Sequence, residues 1–192
     1  MKLNLPNKLT VLRMILVPIF MIVLLLPVEG GWPSIVGCAL FILTSLTDML
    51  DGQIARRCNM ITDFGKFLDP LADKFLIFGA MLAILCKYDE IRGVFVWVAA
   101  IVILRELAVT SLRMIANQKA GVVVAANWLG KIKTVTQMIA VVVILLEELV
   151  FPAAIAELHI PAYVMMAVMT LFTVWSGLNY LKAMWPYLDP EK

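Results

Sequence analysis

An all-α, polytopic membrane fold is what this sequence predicts, with six transmembrane helices and a short N-terminal amphipathic segment. The chain is 62% hydrophobic with a mean hydropathy of +0.95, whereas soluble domains run at roughly 45–50% apolar. The apolar residues gather into six stretches, at about 9–27, 32–55, 65–86, 93–116, 127–150 and 161–182, each near the ~20 residues that a spanning helix needs. Charge is also segregated between the two sets of links. With a cytoplasmic N-terminus, all of the 16 basic residues except Lys87 and Arg92 fall on or toward the inner side. The outer links hold Glu29, Asp89, Glu90, Glu147, Glu148 and Glu157. The positive-inside rule therefore puts both termini in the cytoplasm, and the chain is expected in a cell inner membrane.

Residues 1–8 are amphipathic, and Pro6-Asn7 is expected to break them from the first helix. That helix reads as retained: it is too long for a signal peptide, contains Arg13, and is followed by Pro27–Trp32 with no small-x-small cleavage site. Short outer links follow at Pro27–Gly31 and Lys87–Arg92, and a longer one, Glu147–Ile160, carries Pro152. The inner links are Arg57–Phe64 and Asn117–Ala126. Trp175, Tyr180, Trp185 and Tyr187 fit an interfacial aromatic belt near the inner end of the last helix. Length allows one membrane domain over residues 1–192 and no separate soluble module. A net charge of +2 gives no argument for nucleic acid. Cys38, Cys58 and Cys86 are scattered, so they read as lone buried thiols rather than a metal or disulfide framework. His159, alone in an outer link, reads as a surface residue.

Four carboxylates interrupt this apolar pattern. Asp48 and Asp51 lie near the end of the second helix, Asp69 and Asp73 near the start of the third. An Asp at the centre of a spanning helix costs roughly 2.5–3.5 kcal/mol. At 1.5 Å per residue, Asp48 and Asp51 lie ~24 and ~28 Å from Trp32, while Asp69 and Asp73 lie only ~6 and ~12 Å from Gly65. Because the helices are antiparallel, both pairs arrive at one level beneath the cytoplasmic headgroups. Spacings of i/i+3 and i/i+4 put each pair on one stripe, with Gly52, Ala55 and Gly65 leaving room for close approach. Pro70 is expected to sit harmlessly in a first turn. Arg105 and Arg113 on the fourth helix, and Lys131 on the fifth, converge at similar depth to form a basic wall. Glu106, adjacent to Arg105, is expected to face elsewhere and to serve as a structural partner, and Lys74 to snorkel.

Oxygen-only ligands suit Mg²⁺, Mn²⁺ or Ca²⁺, with no Cys or His nearby to favour zinc. Four carboxylates balance two divalent cations, and a two-metal site stabilises attacking and leaving oxygens in phosphoryl transfer. Buried salt bridges fixing helix register, or a cation pathway in a transporter, remain alternatives for the same acids. A transporter predicts acids spread through the bilayer, and here they gather at one side. A membrane prenyltransferase also uses intramembrane aspartates, but its clusters begin with paired acids or Asn-Asp, whereas Thr47 precedes Asp48.

From Asp48 to Asp73 the chain reads D-x2-D-G-x2-A-R-x8-G-x3-D-x3-D. This pattern resembles the signature of the CDP-alcohol phosphatidyltransferase family, without a departure. Leu5–Arg13, Ile103–Glu106 and Asn127–Met138 look like the branch that forms phosphatidylglycerophosphate. The likeness is weakest over residues 139–192. It implies six transmembrane helices, a homodimer in the lipid bilayer, and an active site open to the cytoplasm. It further implies transfer of the phosphatidyl group from CDP-diacylglycerol to glycerol 3-phosphate, with release of CMP. Asp48, Asp51 and Asp69 would bind metal, with Asp73 both a ligand and the proton acceptor. Pro6, Asn7, Gly52, Arg56 and Thr62 would contact CDP-diacylglycerol, and Arg105, Arg113, Lys131 and Lys133 the phosphate of glycerol 3-phosphate. Phosphatidylinositol-phosphate, phosphatidylserine and cardiolipin synthases share the core motif, so acceptor choice rests on the basic set.

Overall fold

The continuous apolar stretches fold as helices, as backbone groups in an apolar surround must be satisfied within their own segment. A computed structural model describes residues 4–28, 30–58, 63–120 and 128–185 of the chain. Six long helices are α1 (Leu5–Leu24), α2 (Trp32–Cys58), α3 (Asp63–Lys87), α4 (Asp89–Ala120), α5 (Trp128–Val150) and α7 (Ile160–Met184). A single turn, α6 (Ala153–Ala156), lies between the last two. No strand occurs among the described residues.

The N-terminal expectation needs correcting. Pro6 does not separate an amphipathic segment from the first helix, because α1 begins at Leu5 with the proline in its first turn. A proline there gives up an N–H that has no intrahelical partner anyway. Pro70 errs the other way. With α3 starting at Asp63 it lies inside the helix, where it removes the bond to the carbonyl four residues back. Its own carbonyl receives Lys74 Nζ at 3.5 Å. The link expected at Lys87–Arg92 shrinks to Tyr88. Arg92 folds back to donate to the carbonyls of Leu85 (2.7 Å) and Cys86 (3.3 Å) and pairs with Asp89. Within the third link, His159 adopts a left-handed backbone (φ 51) as the N-cap of α7, a conformation that His visits more readily than most residues.

Side-chain contacts fix how the helices run. Phe20 meets Phe41 with ring centroids 5.9 Å apart, so α1 and α2 are antiparallel neighbours. A Cβ on Gly37 would sit 3.3 Å from Leu24 Cδ1, in the same antiparallel register. A Cβ on Gly79 would fall 2.7 Å from Val17 Cγ1, so α3 runs beside α1 where only glycine fits. On the other side of the bundle, Gln137 donates to Thr173 at 3.2 Å and joins antiparallel α5 and α7. Arg105 reaches Ser176 at 2.6 Å and joins parallel α4 and α7. The Ser45 hydroxyl approaches Met138 Sδ at 3.3 Å and joins the two sides. The core between them holds Val17, Phe20, Phe41, Leu76, Ile84, Phe95, Val102, Ile144 and Met166.

Outside, the bundle is apolar as well. Trp97 is 72% exposed and Leu104 70%, alongside Ile22, Leu43, Leu171 and Leu178. A monomer in water does not present so continuous an apolar surface. Four stretches among the described residues are long and apolar enough to cross a membrane: Asn7–Leu24, Asp89–Ile115, Trp128–Val150 and Ile160–Met184. In α2 the apolar run is shorter, Trp32–Thr47, ending where the acids begin. The chain is a multi-pass membrane protein.

Candidate active site

We call the end at which α1 starts the lower end of the bundle. Counting seven residues down α1 and α2 from the Phe20–Phe41 contact reaches Arg13 and Asp48. Counting down the parallel α1 and α3 from Val17–Gly79 brings Thr10 level with Ala72, and Asn7 level with Asp69. From Ser45–Met138, the antiparallel α2 and α5 place Asp48 level with Val135 and Asp51 with Ile132. The backbone positions of Asp48, Asp51, Asp69 and Asp73 thus lie within ~9 Å along the bundle axis, two turns of helix. Gly52 and Arg56 continue the same end of α2. Thr62 lies outside the described residues. Pro6 and Asn7 occupy the first turn of α1, and Asn7 is buried.

The basic wall is described in atomic detail. Arg105 and Arg113 lie on α4, two turns apart, and Lys131 and Lys133 on the first turns of α5. Lys133 is buried, and its ammonium pairs with Glu106 Oε1. The same oxygen takes Arg105 Nη1 at 3.2 Å. Glu106 is a structural partner as expected, but it does not face away from Arg105. Adjacent side chains diverge at Cβ, but a long arginine and a long glutamate curl toward one point between α4 and α5. Lys131, two residues from Lys133, is exposed.

Tyr180 needs a second correction. It is 3% exposed and does not belong to an interfacial belt. Its hydroxyl accepts from Arg113 Nη2 at 2.5 Å. The Arg113 and Arg105 guanidinium carbons lie 4.9 and 5.6 Å from its ring centroid, within cation–π range. Trp175 and Trp185 are exposed as a belt requires, and Tyr187 lies outside the described residues. Gly177 and Gly130 make room for this cluster. A Cβ at Gly177 would meet Arg105 Cγ at 3.0 Å, and one at Gly130 would meet the Tyr180 hydroxyl at 3.4 Å. Ser176, Gly177 and Tyr180 therefore join α4 and α5 in holding the basic wall. Sequence reasoning missed them because they sit in the segment where the family likeness fades. The signal was a polar i/i+4 pair, Ser176 and Tyr180, inside an apolar helix.

In the basic wall, one donor is left over. Arg105 Nε is buried and makes no hydrogen bond among the described residues. An unmade bond to a charged group is costly, and an anion is the natural partner. The arrangement can thus present a multiply charged cationic surface, pre-oriented by Glu106 and Tyr180, at the level of the four aspartate backbone positions. As a donor set the four aspartates fit hard divalent cations, having oxygen ligands alone and a combined charge that two such ions cancel.

The upper end has different chemistry. His159 is not the lone surface residue expected. It is half-buried, with Nδ1 3.6 Å from Oε1 of the buried Glu147. Tyr88 shares a hydrogen bond with Ser34 at 3.2 Å, and burial pushes its phenol up to about 12. Cys86 is exposed, against expectation, while Cys38 is buried as expected.

Comparison with known proteins gives the family. The sequence profile of CDP-alcohol phosphatidyltransferases matches residues 3–175. A CDP-diacylglycerol–glycerol-3-phosphate 3-phosphatidyltransferase of Bacillus subtilis (strain 168) is 44% identical, across 96% of this chain and 97% of its own. The enzyme of that name from Salmonella paratyphi A is 37% identical, across 95% and 96%. A probable phosphatidylglycerophosphate synthase of Mycobacterium tuberculosis (strain ATCC 25618 / H37Rv) is 38% identical, across 93% and 80%. With a signature that departs nowhere from the family pattern and a profile match over most of its length, the chain belongs to the CDP-alcohol phosphatidyltransferase family.

Proposed function

We propose that the protein transfers the phosphatidyl group from CDP-diacylglycerol to glycerol 3-phosphate, releasing CMP and forming phosphatidylglycerophosphate. The observation that carries the reading is the shared level of the four aspartates and the Arg105–Glu106–Lys133 cluster, with relatives of the same length that bear this activity in their names. In this reading all six long helices span the bilayer as one domain, both termini face the cytoplasm of the inner membrane, and the protein is a homodimer. The lower end then opens to the cytosol, where a soluble acceptor can meet a lipid that stays in its leaflet.

Asp48, Asp51, Asp69 and Asp73 hold two divalent cations, Mg²⁺ or Mn²⁺. When bound, these supply Lewis-acid stabilisation of the diphosphate and of departing CMP. Asn7 and Pro6, with Gly52, Arg56 and Thr62, seat the cytidine end of the donor. Arg105, Arg113 and Lys131 hold the acceptor's phosphate. Lys133 acts from behind, through the carboxylate that also orients Arg105. The acceptor hydroxyl attacks the phosphorus bonded to diacylglycerol, a new P–O bond forms, and the bond to the CMP phosphate breaks. Asp73 takes the hydroxyl proton.

An acceptor screen tests the reading. With CDP-diacylglycerol fixed and the protein in detergent, CMP release is expected with glycerol 3-phosphate and not with serine, inositol phosphate or phosphatidylglycerol. Release driven by one of those in its place moves the chain to another branch of the family.

A further inference from the structure

We infer that Arg13 is a positioning residue of the acidic site: its guanidinium is the fixed counter-charge of the aspartates on α2 and α3. The inference rests on the reading of those aspartates as metal ligands. Arg13 is 1% exposed and heads the largest fully buried side chains. Arginine stays charged at any ordinary pH, and a buried charge requires an opposite one close by. Nothing on its own helix supplies it, because α1 contains no acidic residue.

Elimination narrows the partner. Among the described residues α1 packs only against α2 and α3. The acids of those two helices are Asp48, Asp51, Asp63, Asp69 and Asp73. Helix register brings Arg13 level with Asp48 on α2 and with Phe75, half a turn above Asp73, on α3. Asp63 is twelve residues below Phe75, ~18 Å along the axis and beyond an arginine's reach. Among the described residues, this leaves the four carboxylates of the signature as the counter-charge. Below Arg13, Thr10 and Asn7 are buried on the same stripe, so α1 lines the acidic level with three polar groups where its upper half presents Val17, Phe20 and Leu24. With so little exposed surface Arg13 does not touch a lipid substrate. It acts through the carboxylates, offsetting part of their mutual repulsion when no metal is bound and opposing the metals when they are.

Thermal unfolding of the full chain in detergent, titrated with Mg²⁺ after EDTA, separates these roles. Wild type is expected to gain stability with metal. Arg13→Gln should lose stability in EDTA, gain more from saturating Mg²⁺ than wild type does, and reach half-saturation at about tenfold lower Mg²⁺. Arg13→Lys, which keeps the charge, should stay within about twofold of the wild-type midpoint. A wild-type response with an identical Arg13→Gln response would overturn the counter-charge and leave the metal reading standing, whereas no wild-type response would overturn both. If Arg13→Gln does not fold, adding Asp48→Asn or Asp73→Asn should restore folding by removing one charge of each sign. Failure of both to do so refutes the pairing.

Discussion

At the scale of single residues, the two lysines on α5 show how burial separates roles that spacing alone cannot. Lys131 is exposed, while Lys133 is buried in a pair with Glu106 that Arg105 also joins. Replacing Glu106 with Gln leaves two buried cations around a neutral amide. We expect a loss of about 3–5 kcal/mol, read by thermal or denaturant unfolding in detergent. Lys131→Ala should change stability by no more than about 0.5 kcal/mol, and raise KM for glycerol 3-phosphate well above its effect on KM for CDP-diacylglycerol. Equal increases in both KM values would remove Lys131 from the acceptor pocket. The sequence displayed all these charges, but not their partners. Glu106 turns to a point where Arg105 and, from α5, Lys133 share one of its oxygens, and Tyr180 becomes a clamp because α7 packs on α4. Both facts depend on helices distant in sequence.

At the scale of helices, the fold was legible where apolar runs are long and unbroken. The six long helices lie where the six stretches predicted them, with ends that differ by a few residues. What hydropathy could not read was the ends. Pro6 starts a helix instead of breaking one, Tyr88 is all that remains of a six-residue link, and α6 adds a turn before His159. Each is decided by local hydrogen bonding, which hydropathy does not report. Helix approach is also set by single positions. A side chain at Gly79 would enter Val17 at 2.7 Å, whereas Gly93 on α4 has nothing within 4 Å. Gly79→Leu is therefore expected to cost about 1–3 kcal/mol. Gly93→Ala should be neutral or stabilising by about 0.4–1 kcal/mol. Unfolding midpoints that fall equally for both variants would contradict the close α1–α3 contact.

For the molecule as a whole, the site is a consequence of topology. Two antiparallel helices joined by a short link carry acids near the end where they meet, and α1 runs beside both. The helices α4, α5 and α7 hold a basic cluster at the same height. Sequence spacing could suggest the acidic half because its residues are close in the chain and match a family signature. The α7 contribution stayed hidden because Ser176 and Tyr180 stand apart from any motif. On this view turnover requires metal at the acidic level, the fixed cations opposite, and both substrates at once. The most direct test is CMP release from CDP-diacylglycerol in the presence of glycerol 3-phosphate, measured on purified protein stripped with EDTA and then titrated with Mg²⁺ or Mn²⁺. Release should vanish on chelation and return with either ion in wild type, and should not return in Asp69→Asn; turnover indifferent to chelation would contradict the account.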